Sequence, residues 1–371
     1  MESTVGIALL GCGTVGGGVA ELLSQRRAHI ERRSGVSYEI IGVANRSRDP
    51  LALVDDPRVD VVVETIGGTA IALECIERAL DHRKHVVTAN KDAIATQGPR
   101  LRALAAARGV TLRYEASVAS AVPIINTLDH ALAGDEIVEI GGVLNGTCNF
   151  ILGKMRDGNP FGEALAQAQA AGYAEADPRN DVQGIDAAHK LAILVQHAFG
   201  LPVITPHIRH RGIAGITSAS VRRARQHGYE LKLVGYARVV RQAHHDEQYA
   251  AESIVADVGP VLVPFTHPFA KVSGVENIVR VVGASAGPLL FSGAGAGREA
   301  ASSAVLGDVV AALRVIAERH HTRAVAADAQ QTPYVDSAFD RFPAFAGFPV
   351  LTSLSKGDTH VGYSPRTLSA V

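Results

Sequence analysis

Residues 5–18 read VGIALLGCGTVGGG. The first six form an apolar run too short for a buried helix and bounded by glycine. That is the pattern of a parallel strand covered on both faces. Gly11-Cys12-Gly13-Thr14-Val15-Gly16 is a G-x-G-x-x-G turn between this strand and a helix expected over residues 19–30. Each glycine has a task there. Gly11 makes the tight turn, Gly13 lets the backbone approach a pyrophosphate, and Gly16 lets helix and strand pack closely. The helix N-terminus then offers N–H groups and the positive end of its dipole to the phosphates. The stretch predicts a dinucleotide site, with a ligand-free glycine turn as the alternative.

Working outward, strands are expected at 38–44 (YEIIGVA), 60–64 (DVVVE), 85–88 (HVVT) and 110–114, with helices near 70–80 and 99–108. This alternation predicts the α/β class, with a Rossmann-type doubly wound parallel sheet and right-handed crossovers. From residue 135 the pattern changes. A strand over 137–144 runs into Asn145-Gly146, helices follow at 162–171 and 185–199, and strands are expected near 229–240 and 248–255. These make a second, mixed α/β region. Gly293-Ala294-Gly295-Ala296-Gly297 is expected to open a helix ending near residue 320. Residues 321–371 carry Pro, Gly, Ser and Asp with weak periodicity and read as a tail.

A chain of 371 residues suffices for about two domains. Its 47% apolar and 20% charged content suits a large globular core. A net charge of −1 attracts neither nucleic acid nor an anionic membrane, so neither partner is expected. Cys12, Cys75 and Cys148 lack metal-binding spacing, and an odd, unclustered set fits a reducing compartment. The N-terminus reaches the glycine turn too soon for a secretory signal, and no apolar stretch of about 18 residues runs free of polar interruption. A cytoplasmic enzyme without membrane spans is the expectation.

Further motifs carry chemistry. Where NAD is preferred, the second strand ends in an acid that binds the ribose 2′-OH. Here it ends Ala44-Asn45-Arg46-Ser47-Arg48, which suits the 2′-phosphate of NADP, unless the arginines are solvated loop charges. Lys91 follows the fourth strand, at the carboxyl edge where ligands gather in such sheets. Asp186 and Lys190 are four apart on a predicted helix and share a face. A lysine beside a carboxylate can pass a proton to a carbonyl oxygen as hydride reaches carbon. An ordinary surface ion pair has the same spacing. Cys148 raises a thiol-dependent semialdehyde dehydrogenase as a competing reading, with a small buried residue as its plain counterpart. A silent dinucleotide-binding protein is a third.

Taken in order, several segments resemble homoserine dehydrogenase over about residues 5–320. They are the glycine turn, Thr88-Ala89-Asn90-Lys91, Tyr114-Glu115-Ala116-Ser117-Val118, Asn145-Gly146-Thr147-Cys148-Asn149, the Gly172-to-Lys190 stretch with its Glu-Ala-Asp-Pro run, and the 293–297 glycines. The resemblance implies reversible NAD(P)-dependent oxidation of L-homoserine to L-aspartate 4-semialdehyde, on the route to threonine and methionine. It implies Lys190 as proton carrier, Glu175 and Asp186 as substrate binders, and Lys91 between coenzyme and substrate. Gly172, Gly297 and Thr65 are then coenzyme contacts. Glu115 and the carbonyls of Val118, Ser120 and Val122 would hold a structural sodium ion, a hard-cation ligand set. Ser120-Ala121 stand where the family usually has Gly-Gly. The implied layout is a nucleotide-binding domain over 1–133, rejoined by a helix at 293–320, and a substrate and dimerisation domain over 134–292 forming a homodimer. The 321–371 tail is too short for a regulatory ACT domain, so none is expected.

Overall fold

The chain's structure, a computed structural model, describes residues 4–45, 48–241 and 252–331. It opens with β1 (Val5–Leu10), α1 (Thr14–Gln25), α2 (Arg27–Ser34), β2 (Tyr38–Ala44), α3 (Pro50–Asp55), β3 (Val61–Glu64), α4 (Ala70–Asp81), β4 (His85–Thr88), α5 (Lys91–Arg108) and β5 (Leu112–Arg113). The five strands are parallel in the order β2-β1-β3-β4-β5. This is the expected doubly wound sheet. Side chains alternate across β1, so Val5, Ile7 and Leu9 pack with Val19 and Leu23 of α1, while Ala8 and Leu10 join the core on the other face.

After a one-turn α6 (Ile124–Asn126), the chain builds β6 (Ile137–Val143), α7 (Gly146–Arg156), α8 (Phe161–Ala170), α9 (Arg179–Val182) and α10 (Ile185–Phe199). Then come β7 (Arg209–His210), α11 (Ser218–Gln226), β8 (Tyr229–Arg241), β9 (Glu252–Pro264), α12 (Pro268–Lys271), β10 (Glu276–Gly283), β11 (Gly287–Ala294) and α13 (Arg298–Gln331). Six of these strands form the second sheet, ordered β11-β10-β6-β8-β9-β7. It is antiparallel except where β7 joins β9, so it is mixed. Leu191 and Ala188 of α10 share a core with Ile140 and Leu233 of this sheet. α13 returns to the first sheet, where Val305, Val309 and Leu313 meet Ile7 and Val61. Both sheets lie in one compact unit, Met1–His320.

Several boundaries differ from the expectation. The first helix begins at Thr14 and breaks at Arg26, so the glycine turn is shorter than the glycine run. α5 begins at Lys91 and carries Pro99 in its interior. Proline has no N–H for the carbonyl four residues back. The Thr205 hydroxyl donates to that Ala95 carbonyl at 3.4 Å instead. Gly293 and Ala294 end a strand rather than open a helix, and α13 starts only at Arg298 and continues past residue 320. One helix, Arg298–Thr322, is long and apolar enough to cross a membrane by length and composition alone, as the core helix of a soluble protein can be. Half of its most apolar window is buried inside the protein, where Val305, Val309 and Leu313 pack against the first sheet.

Candidate active site

The glycine turn comes first. Gly11 has φ +95, and a Cβ there would lie 2.6 Å from the Thr65 carbonyl oxygen. At Gly16 a Cβ would lie 2.1 Å from the Gly11 oxygen. Both positions therefore require glycine on steric grounds. Gly13 differs, because a Cβ there would meet nothing within 4 Å. It faces open space, the condition for close approach by a ligand. Gly13 is also the N-cap of α1 and provides no side chain to cap the first-turn N–H groups of Thr14, Val15 and Gly16. The Thr65 hydroxyl donates to Leu10 O at 3.0 Å and Gly11 O at 3.1 Å, pinning the turn to the loop after β3. Between them lies a cleft of about 1050 Å³ lined by Gly11, Gly13, Asn45, Thr65, Ile66 and Gly67, among others. A dinucleotide fits this geometry, since the bare N-terminus would receive its phosphates. Arg46, the residue expected to select NADP, lies outside the described residues.

The loops after β3 and β4 are held by a buried acid. Glu64 ends β3, accepts from Ile66 N at 2.6 Å and from the Thr88 hydroxyl at 2.5 Å. Burial pushes its carboxyl up to about 7, although those hydrogen bonds oppose the shift. Asn90 caps α5 by accepting from Ala93 N, and its amide donates to Gly68 O at 2.7 Å. These contacts fix Lys91 as the first residue of α5.

The second cluster converges on Asp186. On α10, Lys190 Nζ lies 3.0 Å from Asp186 Oδ2 and donates to the Leu144 carbonyl at 2.9 Å. Lys91 Nζ, from the start of α5, lies 3.4 Å from Asp186 Oδ1. Asn145 accepts from Cys148 N to cap α7 and donates its amide to Asp186 at 2.8 Å and to Asp181 at 2.7 Å. The Asp186 and Lys190 side chains are each 11% exposed, so this is no solvated surface pair. Burial alone would raise the Asp186 carboxyl, but the two ammoniums and the Asn145 amide outweigh it and hold it below the carboxylate range. Burial would likewise lower Lys91, and Asp186 and Asp92 reverse that. Desolvation raises Asp181.

The remaining residues fall around these clusters. The Thr147 hydroxyl donates to Tyr173 O at 2.7 Å, tying the loop of Gly172 and Glu175 to the first turn of α7. Gly172 (φ +74) and Gly297 (φ +116) both take the left-handed conformation. Glu175 is exposed. Cys148 is fully buried, and its Sγ donates to Asp181 O at 3.1 Å. Burial pushes the thiol far above its ordinary range, so it offers no thiolate at neutral pH. This removes the premise of the thiol reading.

For a sodium site, the loop geometry and the carboxylate point in different directions. Ala119 (φ 54) and Ser120 (φ 34) hold the left-handed backbone without glycine. The loop of Val118, Ser120 and Val122 thus keeps a conformation that glycine favours. Glu115 is buried, but its carboxylate accepts from Ile125 N at 2.7 Å and from Asn126 N at 2.8 Å. The Asn126 side chain donates to the same Oε2. Any cation there would share that carboxylate with protein donors.

Sequence reasoning did not single out Asn145, Asp181, Asp92, His189 or Glu64. For Asn145 the signal was an Asn–Gly pair, which suggests a turn as readily as a helix cap. For Glu64 it was an acid closing an apolar strand.

Known proteins resemble the chain along most of its length. Residues 123–310 match the family Homoserine dehydrogenase, and residues 11–115 match Homoserine dehydrogenase, NAD binding domain. Homoserine dehydrogenase of Pseudomonas aeruginosa is 40% identical over 326 residues, which are 84% of this chain and 73% of that protein. The Neisseria gonorrhoeae enzyme is 39% identical over 84% of this chain and 73% of its own. A crystal structure of a homoserine dehydrogenase from Thiobacillus denitrificans superposes with a TM-score of 0.79 at 41% identity, covering 86% of this chain and 76% of that one. A hyperthermophilic archaeal homoserine dehydrogenase mutant in complex with NADPH superposes at 0.71 with 26% identity, covering 84% of this chain and 98% of that one.

Proposed function

The chain belongs to the homoserine dehydrogenase family, and we propose that the Lys190–Asp186–Lys91 cluster is where it oxidises homoserine. The activity is the NAD(P)-dependent interconversion of L-homoserine and L-aspartate 4-semialdehyde. One observation carries the site: two lysines from different helices, α5 and α10, meet one buried carboxylate.

A bound nicotinamide coenzyme accepts or supplies the hydride. Lys190 holds the proton that passes between its Nζ and the substrate oxygen, and its charge stabilises the developing alkoxide. The Leu144 carbonyl and Asp186 fix the direction of that ammonium. Asp186 and Glu175 bind the substrate, with Glu175 suited to its ammonium. Lys91 bridges substrate and coenzyme. Gly11, Gly13, Thr14, Val15, Gly16, Thr65, Gly172 and Gly297 line the coenzyme's path, and Arg46 favours NADP. The Glu115 carboxylate and the carbonyls of Val118, Ser120 and Val122 would hold a sodium ion, which would share Glu115 with the Ile125 and Asn126 donors.

The working layout is a coenzyme domain over 1–133 with 293–320, and a substrate domain over 134–292. A homodimer through the second sheet is supported by its open face, where Leu290 and Val261 are exposed beside Glu139, Tyr236 and Arg280. Threonine and methionine biosynthesis and a cytoplasmic location complete the reading. The test is reduction of NADP by the purified protein given L-homoserine. Turnover supports the proposal, and its absence with both NADP and NAD refutes it.

A further inference from the structure

Asp92 stands between two partners. Its Oδ1 accepts from His189 Nδ1 at 2.6 Å and lies 3.8 Å from Lys91 Nζ. That ammonium is 3.4 Å from Asp186. Lys91 and Asp92 open α5, while Asp186, His189 and Lys190 lie on the first turns of α10. Each member of the His–Asp pair is therefore next in sequence to a lysine of the site. Lys91 consequently faces two carboxylates, of which only Asp186 belongs to the cluster.

Both carboxylates lie within reach of one ammonium, Asp186 the nearer and more buried, so what else each binds weighs in the outcome. Asp186 is already paired with Lys190 and Asn145. Asp92 has His189, whose hydrogen bond is the main influence holding its carboxyl below the ordinary range. Without the imidazole, Asp92 becomes the less compensated carboxylate within reach of Lys91. A lysine on a flexible four-carbon stem can reorient toward it.

We infer that His189 is a positioning residue whose imidazole occupies Asp92 and so leaves Lys91 directed at Asp186. The inference rests on the reading of Lys91 as a member of the reacting cluster. It makes Asp92 a competitor of Asp186 that His189 restrains. A bond that merely ties two helices together predicts a different mutational pattern.

The test measures kcat/KM for L-homoserine in full-length variants. His189→Leu is expected to lower it roughly tenfold, within the range of coupling between residues in contact. Asp92→Asn alone should leave it within about twofold, because it removes the competitor, and adding it to His189→Leu should restore activity to within about threefold of wild type. On a Lys91→Ala background, His189→Leu should change nothing further. His189→Asn, whose amide can donate to Asp92, should retain most of the activity. A His189→Leu/Asp92→Asn enzyme no better than His189→Leu overturns the inference, as does a His189→Asn loss as large as that of His189→Leu. An impaired Lys91→Ala beside a fully active His189→Leu overturns the inference alone. An unimpaired Lys91→Ala removes the reading of Lys91, and the inference with it.

Discussion

Lys190 places its ammonium 3.0 Å from the Asp186 carboxylate, one helical turn earlier, with both side chains nearly closed to solvent. The pair is joined by Lys91 from the start of α5, so Asp186 is the shared counter-charge of two cations. Exposed ion pairs at this spacing contribute little, but a buried one leaves an uncompensated charge when a partner is removed.

Asp186→Asn therefore faces two ammoniums with a neutral amide. We expect a destabilisation of about 3 kcal/mol, the lower end for breaking a buried pair. Thermal unfolding reads that loss, and kcat/KM for homoserine should fall with it. A variant with wild-type melting and turnover would show that the pair is ornamental.

The glycines of the turn should separate into two kinds. Gly16→Ala forces a Cβ to 2.1 Å from the Gly11 oxygen, so it should lower the melting temperature. Gly13→Ala meets no protein atom within 4 Å, so the fold should tolerate it. Its methyl group stands where a pyrophosphate would approach, so coenzyme binding should weaken. Calorimetric titration with NADPH checks this. Equal NADPH affinity in wild type and Gly13→Ala would place the coenzyme elsewhere.

Stability should depend on pH through Glu64. Its folded carboxyl titrates near 7, raised by burial, against about 4.3 for an unfolded glutamate. Between these values the folded state binds the extra proton, so stability is greatest at the acid end and falls as pH rises through 7. The full effect of this one group is at most about 4 kcal/mol. Asp308, also pushed by burial to about 7, adds a slope of the same sign. The informative quantity is thus the difference between wild type and Glu64→Gln, measured by denaturant unfolding from pH 5 to 8. The variant should lose less stability over that range. Parallel curves would mean that Glu64 does not titrate there.

Legibility in the sequence followed how local the determinants are. β1, β2, β4 and α10 fall on the residues expected, because a short apolar run bounded by glycine or a long apolar period is decided within the segment. Pro99 misled because the partner of the freed Ala95 carbonyl, Thr205, is distant in sequence. The 293–297 glycines misled for a similar reason. Gly293 is held as strand by pairing with Asn277, and Gly295 lies against the Asn277 side chain, neither of which is visible in a glycine run. At the site, motif order brought Lys190, Asp186 and Lys91 into view. It could not reveal that Asn145 bridges Asp186 and Asp181, or that His189 meets Asp92, since those pairs join helix ends far apart in sequence.

The central claim is that Lys190 carries the proton. The most direct measurement is steady-state and single-turnover kinetics of Lys190→Ala, with NADPH affinity determined alongside. Loss of a general acid–base should lower kcat by roughly 10²–10⁴-fold. NADPH affinity should stay close to wild type, because the glycine turn belongs to the other sheet. Near-normal turnover in Lys190→Ala, with activity abolished instead by Cys148→Ser, would contradict the account.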